Sequence, residues 1–404
     1  MKPLIIVGTG LAAYSLAREF RKLDRNSPLL LISAESGDFY AKPGLSNAFA
    51  QGKDETSLIN QTAVQMAEQL AATILTHTRV EHIDSARQVL RTPAGEFDYR
   101  QLVLATGAQP IRLALQGDAS EAVLSVNGIQ DYAQVREQLR ELASHKPATQ
   151  TQIVILGAGL IGCEFADDFA SAGYQISLLD PNPAPLANLT PELIGSGLQH
   201  ALAQRGVNFY GGVSAQAVTR PTSTNRTTDA RYRLSLSDGR ELDADLVISA
   251  VGLRPDLTLA QASGLACQRG VLIDQFGQTS APQIYALGDV AQYQLDDGSQ
   301  QCLPYVAPIL TAARAMAQTL HGKPSPIKLE ASPVIVKTPS YPLAFLHPGP
   351  AAAGSWLQTQ GEAGISARFI DQQQIVRGFA LAPASLAQRK AMLAELGSPL
   401  AIHG

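Results

Sequence analysis

The sequence predicts an α/β protein: two doubly wound units followed by a smaller α+β domain. Two glycine turns and one change of texture carry that prediction. Gly8-Thr9-Gly10-Leu11-Ala12-Ala13 follows the apolar run Leu4-Ile5-Ile6-Val7. Gly157-Ala158-Gly159-Leu160-Ile161-Gly162 follows Ile153-Val154-Ile155-Leu156. Residues 331–404 instead hold proline-punctuated strands such as Val334-Ile335-Val336, and a terminal helix from about Ala384 to Glu395.

Each glycine turn reads as a buried strand, a tight turn and the start of a helix. That geometry aims backbone N–H groups and the positive helix end at a pyrophosphate. A single such turn is weak evidence. Each copy here has a strand before it and a carboxylate after it. Two Rossmann-like dinucleotide-binding units are therefore expected, with electrons passing from one dinucleotide to the other.

The elements follow in order. The first turn opens a helix from Leu11 to Leu23, with Leu16, Phe20 and Leu23 at helical spacing. Leu29-Leu30-Leu31-Ile32 is the next strand, with Ala34 and Glu35 just beyond it. Glu35 lies about 20 residues past the turn, where a carboxylate accepts hydrogen bonds from adenosine ribose hydroxyls. Leu102-Val103-Leu104-Ala105 is a later strand, and Thr106-Gly107 behind it are small enough for close approach to a cofactor. The second unit repeats the plan, with strand Ile176-Ser177-Leu178-Leu179, carboxylate Asp180 and closing strand Leu246-Val247-Ile248-Ser249-Ala250 before Gly252. Pro221–Asp229, rich in Thr, Ser and Asn, reads as an exposed hairpin loop. Ile284-Tyr285-Ala286-Leu287 is a further strand ending at Gly288-Asp289. Asp289 suits the hydroxyls of a bound ligand there, or acts as the N-cap of a helix beginning just after it. A helix is expected from Ile309 to Leu320, after Pro308. A backbone N–H near its start, at Val306, is placed to stabilise negative charge together with the helix dipole.

Composition narrows the function classes. The chain has 404 residues, 45% hydrophobic and 16% charged, which fits a soluble multidomain protein. Its net charge of -4 gives no bulk drive toward nucleic acid or anionic lipid. No apolar run approaches the ~20 residues of a membrane helix. Lys2 and the apolar run after it resemble a signal peptide, but Gly8 and Gly10 break the run and Arg18, Glu19 and Arg21 follow. A cytoplasmic location is expected. Cys163, Cys267 and Cys302 form no CxxC pair, and His77, His82 and His347 have no metal-ligand spacing, so no metal is expected.

Taken together and in this order, GxGxxA with its acid, Ala105-Thr106-Gly107, GxGxxGxE with its acid, and Leu287-Gly288-Asp289 resemble the FAD- and NAD(P)-dependent pyridine nucleotide–disulfide oxidoreductases. A closer resemblance is to bacterial rubredoxin–NAD(+) reductases. Tyr40-Ala41-Lys42-Pro43, Thr76-His77-Thr78-Arg79-Val80, Gly162-Cys163-Glu164-Phe165, Ser249-Ala250-Val251-Gly252-Leu253-Arg254-Pro255, Tyr305-Val306-Ala307-Pro308 and Val336-Lys337-Thr338-Pro339 carry it. The resemblance implies an FAD-binding domain in two parts, 1–115 and 251–328, interrupted by an NAD-binding domain, 116–250. A small α+β domain, 329–404, completes the chain.

The disulfide reductases of that superfamily carry paired cysteines near the flavin. The corresponding Tyr40–Asn47 has none, so no thiol relay is available there. Electrons must leave bound FAD directly, which suits a one-electron iron carrier. FAD contacts are expected from Ile6, Gly8, Thr9, Gly10, Leu11, Ala12, Ala34, Glu35, Thr106, Gly107, Gly288, Asp289 and Val306. By resemblance Val80 adds a backbone contact to adenine, from a strand-like Thr78-Arg79-Val80. NAD(H) contacts are expected from Gly157, Gly159, Leu160, Ile161, Gly162, Asp180 and Gly252. Three residues are assigned catalytic roles by the resemblance. Lys42 is a cation beside the flavin with Glu164 as a possible partner, Glu164 orients the nicotinamide carboxamide, and Lys337 favours the anionic reduced flavin. Each has a plainer reading: a solvated loop lysine, an acid suited to a helix N-terminus, and a lysine that snorkels to water.

The activity implied is an NADH-dependent reductase of rubredoxin, in a monomer or homodimer, feeding an alkane hydroxylase or an oxygen-detoxifying system. An NADH–ferredoxin reductase is the alternative acceptor reading, and a flavin- and NAD-binding redox sensor the alternative class. Arg18, Arg21, Lys22 and Arg25, or Arg389 and Lys390, are candidates for steering an acidic carrier, or are ordinary solvated faces.

Overall fold

The chain divides into two units. Met1–Lys42, Thr56–Gln109 and Leu253–Glu330 form the first; Pro43–Glu55, Pro110–Gly252 and the chain from Ala331 onward form the second. The computed structural model describes residues 1–221, 229–295, 298–349, 352–362 and 364–400.

A five-stranded parallel sheet organises the first unit, in the order Ile284–Ala286, Gln101–Leu104, Leu4–Val7, Leu29–Ile32, Thr73–Leu75. Its central strands are almost wholly apolar because both faces are covered. The helices Leu11–Leu23 and Val306–Leu320 pack into the same core, where Leu4, Ile6, Phe20 and Met316 are fully buried. Leu4–Val7 lies between the strand that follows it and the one that returns later. The crevice beyond the carboxyl ends of its neighbours is where such sheets bind ligands.

Several expectations are adjusted here. The helix expected from Ile309 begins at Val306 and contains Pro308 in its first turn. Proline is tolerated there because first-turn N–H groups have no helical partner to lose. Thr78–Val80 is not a strand. His77 takes a positive φ, and the Thr78 N–H bonds the Ser33 carbonyl at 2.7 Å, which turns the backbone out of line. The basic side chains of the first helix also make bonds within their own unit. Arg18 lies 4.4 Å over the Phe39 ring and donates to Gln61 at 2.6 Å. Arg21 donates to the carbonyls of Asp24 and Ser27 at 2.9 Å each, and Lys22 pairs with Glu19 at 2.6 Å.

The second unit is built on a four-stranded parallel sheet in the order Val207–Gly211, Gln175–Asp180, Gln152–Leu156, Leu246–Ser249. An antiparallel sheet of Ala215–Thr219, Tyr232–Leu236 and Glu241–Ala244 shares its core. The Pro221–Asp229 loop joins two of these paired strands, and its residues 222–228 lie outside the described residues. The chain beyond Ala331 forms a five-stranded sheet, Val334–Val336, Leu343–Leu346, Val376–Ala382, Gly364–Asp371 and Gly354–Gly361. Its helix, Leu386–Glu395, starts on a Ser385 capping box and buries Met392 against Phe379 and Leu381. Arg368 clamps Glu395 through two bonds of 2.5 and 2.8 Å, joining helix to sheet.

Pro43–Glu55 belongs with the second unit for a visible reason. The Phe49 ring sits 4.5 Å from Tyr132 and 4.4 Å from Phe169, between two helices of that unit. Truncating such a buried aromatic typically costs about 3–5 kcal/mol. Among the described residues no helix is long and apolar enough to cross a membrane.

Candidate functional site

In the first unit the glycine turn is built for an anion. Gly8 holds φ +121°, and a Cβ there would meet the Ala105 carbonyl oxygen at 2.2 Å. Gly10 caps Leu11–Leu23 without a side-chain hydrogen bond, and space is open around it. The first N–H groups of the helix are thus left for a phosphate. Thr9 Oγ1 bonds Ser33 Oγ at 2.7 Å, and Ser33 Oγ also takes the Glu35 N–H at 3.2 Å. That network ties the turn to the end of the next strand with neutral groups and leaves the Glu35 side chain exposed, next to exposed Ala34. Ile6 is fully buried, so only its backbone is available to a cofactor; Leu11 and Ala12 open the helix. Val80 is buried, while Thr106 and Gly107 are half-buried at the end of Gln101–Leu104.

Gly288 sits against Ala12, and its N–H is held by the buried Tyr293 hydroxyl at 3.0 Å. Asp289 comes next, within a short 3-10 turn, Gly288–Val290, whose N-cap is Leu287, so Asp289 is not that turn's cap. Burial pushes the Asp289 carboxyl up, and the Lys42 ammonium pulls it back. Val306 opens its helix with no capping side chain at Tyr305. Lys42→Ala should therefore purify yellow, since the turn, Glu35 and Asp289 remain, but should be reduced by NADH about tenfold more slowly, a change of ~1.4 kcal/mol. A stopped-flow rate equal to wild type would make Lys42 a solvated loop residue.

The second unit repeats the cradle with different chemistry. Gly157 takes φ +100°, and a Cβ on Gly162 would meet the Gly157 oxygen at 1.8 Å. The matching position of the first turn, Ala13, is fully buried and keeps its methyl. Gly159 caps the helix Leu160–Ser171 with no side-chain bond, and Ile161 beside it is 42% exposed. Leu160 is half-buried, and Gly252, φ +115°, is exposed. Here the turn is tied by the acid itself. Asp180 accepts the Ala158 N–H at 2.6 Å, the Asn182 N–H at 2.8 Å and the Asn182 side-chain amide at 2.7 Å. Sequence reading placed this carboxylate on a ribose and did not foresee its work inside the turn.

Glu164, on the first turns of the same helix, is 3% exposed. Its Oε1 accepts the Lys337 backbone N–H at 2.9 Å, and its Oε2 faces Ser46 Oγ, Asn47 Nδ2 at 3.4 Å and Lys337 Nζ at 3.3 Å. The cation on Glu164 is therefore Lys337, which also donates to the Pro43 carbonyl. The Lys337 side chain is nonetheless 40% exposed, so it meets both Glu164 and water. Sequence reasoning missed two more acids on this helix. Asp167, fully buried, accepts the Ser340 N–H at 3.0 Å. Asp168 accepts the N–H groups of Phe49 at 2.8 Å and Ala50 at 3.1 Å. The spacing Glu164, Asp167, Asp168 was visible as i, i+3, i+4, but charged residues are ordinarily read as a solvated face.

Burial pushes the Asp168 carboxyl up to about 6; bonds from Phe49, Ala50 and Ala48 pull it down, and the Asp167 charge adds to the rise. An unfolded aspartate titrates near 3.9. Between these values the folded state binds more protons, so this group's contribution to stability falls as pH rises from about 4 to about 6. The melting temperature of wild type relative to Asp168→Asn should drop over that window and level above it. A difference that grew with pH would contradict the assignment. Burial also pushes the thiols of Cys163, Cys267 and Cys302 up, away from reactive thiolates.

The residues fit the two groups: each turn has backbone room that a side chain would fill, an uncapped helix start, and an acid at the adjoining strand end. Residues 2–317 match the model of the pyridine nucleotide-disulphide oxidoreductases. The chain belongs to that family. It is an oxidoreductase using FAD and NAD(H). Residues 326–396 match a second model, the rubredoxin binding C-terminal domain. The chain is 37% identical over 397 residues to the rubredoxin-NAD(+) reductase of Alcanivorax borkumensis, covering 98% of this chain and 99% of the relative. It is 42% identical over 343 residues to the nitric oxide reductase FlRd-NAD(+) reductase of Aeromonas salmonicida, covering 85% and 83%. Among solved structures, the ferredoxin reductase for the CYP199A2 system of Rhodopseudomonas palustris shares the fold, with a TM-score of 0.86 at 24% identity over 99% of this chain and 96% of that one.

Proposed function

We propose that this protein is a cytoplasmic NADH-dependent rubredoxin reductase, a monomer or homodimer that acts away from membranes. Residues 1–115 and 251–328 hold FAD, 116–250 hold NAD(H), and 329–404 form the carrier-side domain. The observation that supports it most is a combination: two dinucleotide cradles, a cysteine-free Tyr40–Asn47, and a C-terminal segment matching the rubredoxin binding model. Bound FAD supplies chemistry that takes two electrons as hydride and gives them up singly.

The chain's own residues do the positioning. The Gly8 and Gly157 turns fix the two pyrophosphates, and Asp289 takes ribityl hydroxyls. Lys42 places positive charge at the flavin end of its unit. Glu164, set by Ser46 and Lys337, orients the nicotinamide carboxamide. Hydride transfer needs this alignment rather than an acid or base. Lys337 brings positive charge that favours a reduced, anionic ring.

NADH-dependent cytochrome c reduction tests the acceptor. Rubredoxin should stimulate it strongly and a 2Fe-2S ferredoxin weakly; strong stimulation by ferredoxin alone would move the assignment to a ferredoxin reductase. Alkane hydroxylation is the downstream use that the sequence resemblance implies. The name of the Aeromonas relative favours a second use, supply of electrons to nitric oxide reduction.

A further inference from the structure

Glu164 and Asp168 stand one helical turn apart on Leu160–Ser171 and share a face. Both are buried, and both grip the same short segment. Asp168 takes its backbone, at the N–H groups of Phe49 and Ala50. Glu164 takes its side chains, Ser46 and Asn47. Asp167 between them points elsewhere, to the Ser340 N–H.

Two penalties act on Asp168. A buried carboxylate must replace its lost hydration with hydrogen bonds. It also lies in the last turn of its helix, where the dipole disfavours negative charge. The bonds to Phe49 and Ala50 are what this placement secures.

We propose that Asp168 is a positioning residue for hydride transfer: by fixing the backbone at Phe49 and Ala50 it holds Ser46 and Asn47 where they set the Glu164 carboxylate. The Phe49 ring, packed between Tyr132 and Phe169, anchors the segment through a side chain. The two hydrogen bonds from adjacent N–H groups to one carboxylate hold its backbone directly. The inference rests on the reading of Glu164 as the nicotinamide-orienting group.

The test compares Asp168→Ala, Asp168→Asn and Glu164→Gln, singly and combined, in the FAD-loaded protein. Amide hydrogen exchange over residues 46–50 reads the positioning. Anaerobic stopped flow with NADH reads the chemistry, separating the limiting rate from NADH affinity. Asp168→Ala should exchange faster over 46–50 and lose about tenfold or more in limiting rate, with a smaller change in NADH Kd. Asp168→Asn, which keeps one acceptor oxygen and is the variant more certain to fold, should fall between it and wild type. Combined with Glu164→Gln, either Asp168 variant should add no further loss, because both act through one carboxylate. Unchanged exchange, or losses that multiply in the combined variant, would overturn the inference while leaving Glu164 in its role. Glu164→Gln as fast as wild type would overturn the reading of Glu164, and the inference with it.

Discussion

Gly8→Val should purify without FAD. The residue holds φ +121°, which a β-branched side chain does not adopt. Its Cβ would also stand 2.2 Å from the Ala105 carbonyl oxygen, a backbone atom that cannot swing aside. Either the turn opens or the strand end carrying Ala105 moves, and both displace the N–H groups from the pyrophosphate. The expected protein has no visible flavin absorbance and at least a hundredfold weaker FAD binding, a loss of ~2.7 kcal/mol or more. Circular dichroism should show the second unit's structure retained, because its own turn at Gly157 is untouched. A yellow Gly8→Val protein with normal NADH turnover would mean that the first turn does not hold the flavin's phosphates.

NADH should be preferred over NADPH by roughly a hundredfold in kcat/KM, the effect of ~2.7 kcal/mol. Asp180 ends the second strand of its sheet, and Pro181-Asn182-Pro183-Ala184-Pro185 after it offers no arginine or lysine to a 2′-phosphate. A carboxylate facing such a phosphate is a like-charge contact, worth several kcal/mol against the wrong partner. The structure refines the expected variant. Asp180 already accepts the Ala158 N–H and two bonds from Asn182. Asp180→Ala should therefore weaken NADH as well as relax selectivity, because the glycine turn loses its tie. Equal kcat/KM for the two donors in the wild-type protein would contradict this account.

The units were legible because their signals are local. Apolar runs of four residues before Gly8 and Gly157 read as buried strands because a glycine turn follows each, and the helix Leu11–Leu23 and the strand Leu29–Ile32 lie where the sequence pattern put them. Turns set by long-range bonds were less legible. Thr78 leaves the sheet direction because a carbonyl distant in sequence, Ser33, takes its N–H. The helix starts at Val306, ahead of the expected Ile309, because its first turn accommodates Pro308. Among the candidate site residues, the glycines of the two turns were legible from spacing, and the positive φ of Gly8 and Gly157 fits that reading. The partnership of Glu164 with Lys337 was not legible, since the two are far apart in the chain and each has a plainer explanation, a helix-start acid and a snorkelling lysine. The same holds for Asp168, whose value appears only when Phe49 and Ala50 are brought to it.

The central claim is that electrons enter as hydride and leave singly to rubredoxin with no thiol between. Its most direct test is anaerobic mixing of the NADH-reduced protein with excess oxidised rubredoxin, following loss of the rubredoxin visible absorbance. Each FAD should reduce two rubredoxins, in a reaction whose rate rises with rubredoxin concentration. A variant with Cys163, Cys267 and Cys302 all replaced by serine should match it. One rubredoxin per FAD, a faster reaction with a 2Fe-2S ferredoxin, or loss of transfer in a folded, FAD-loaded triple variant would contradict the account.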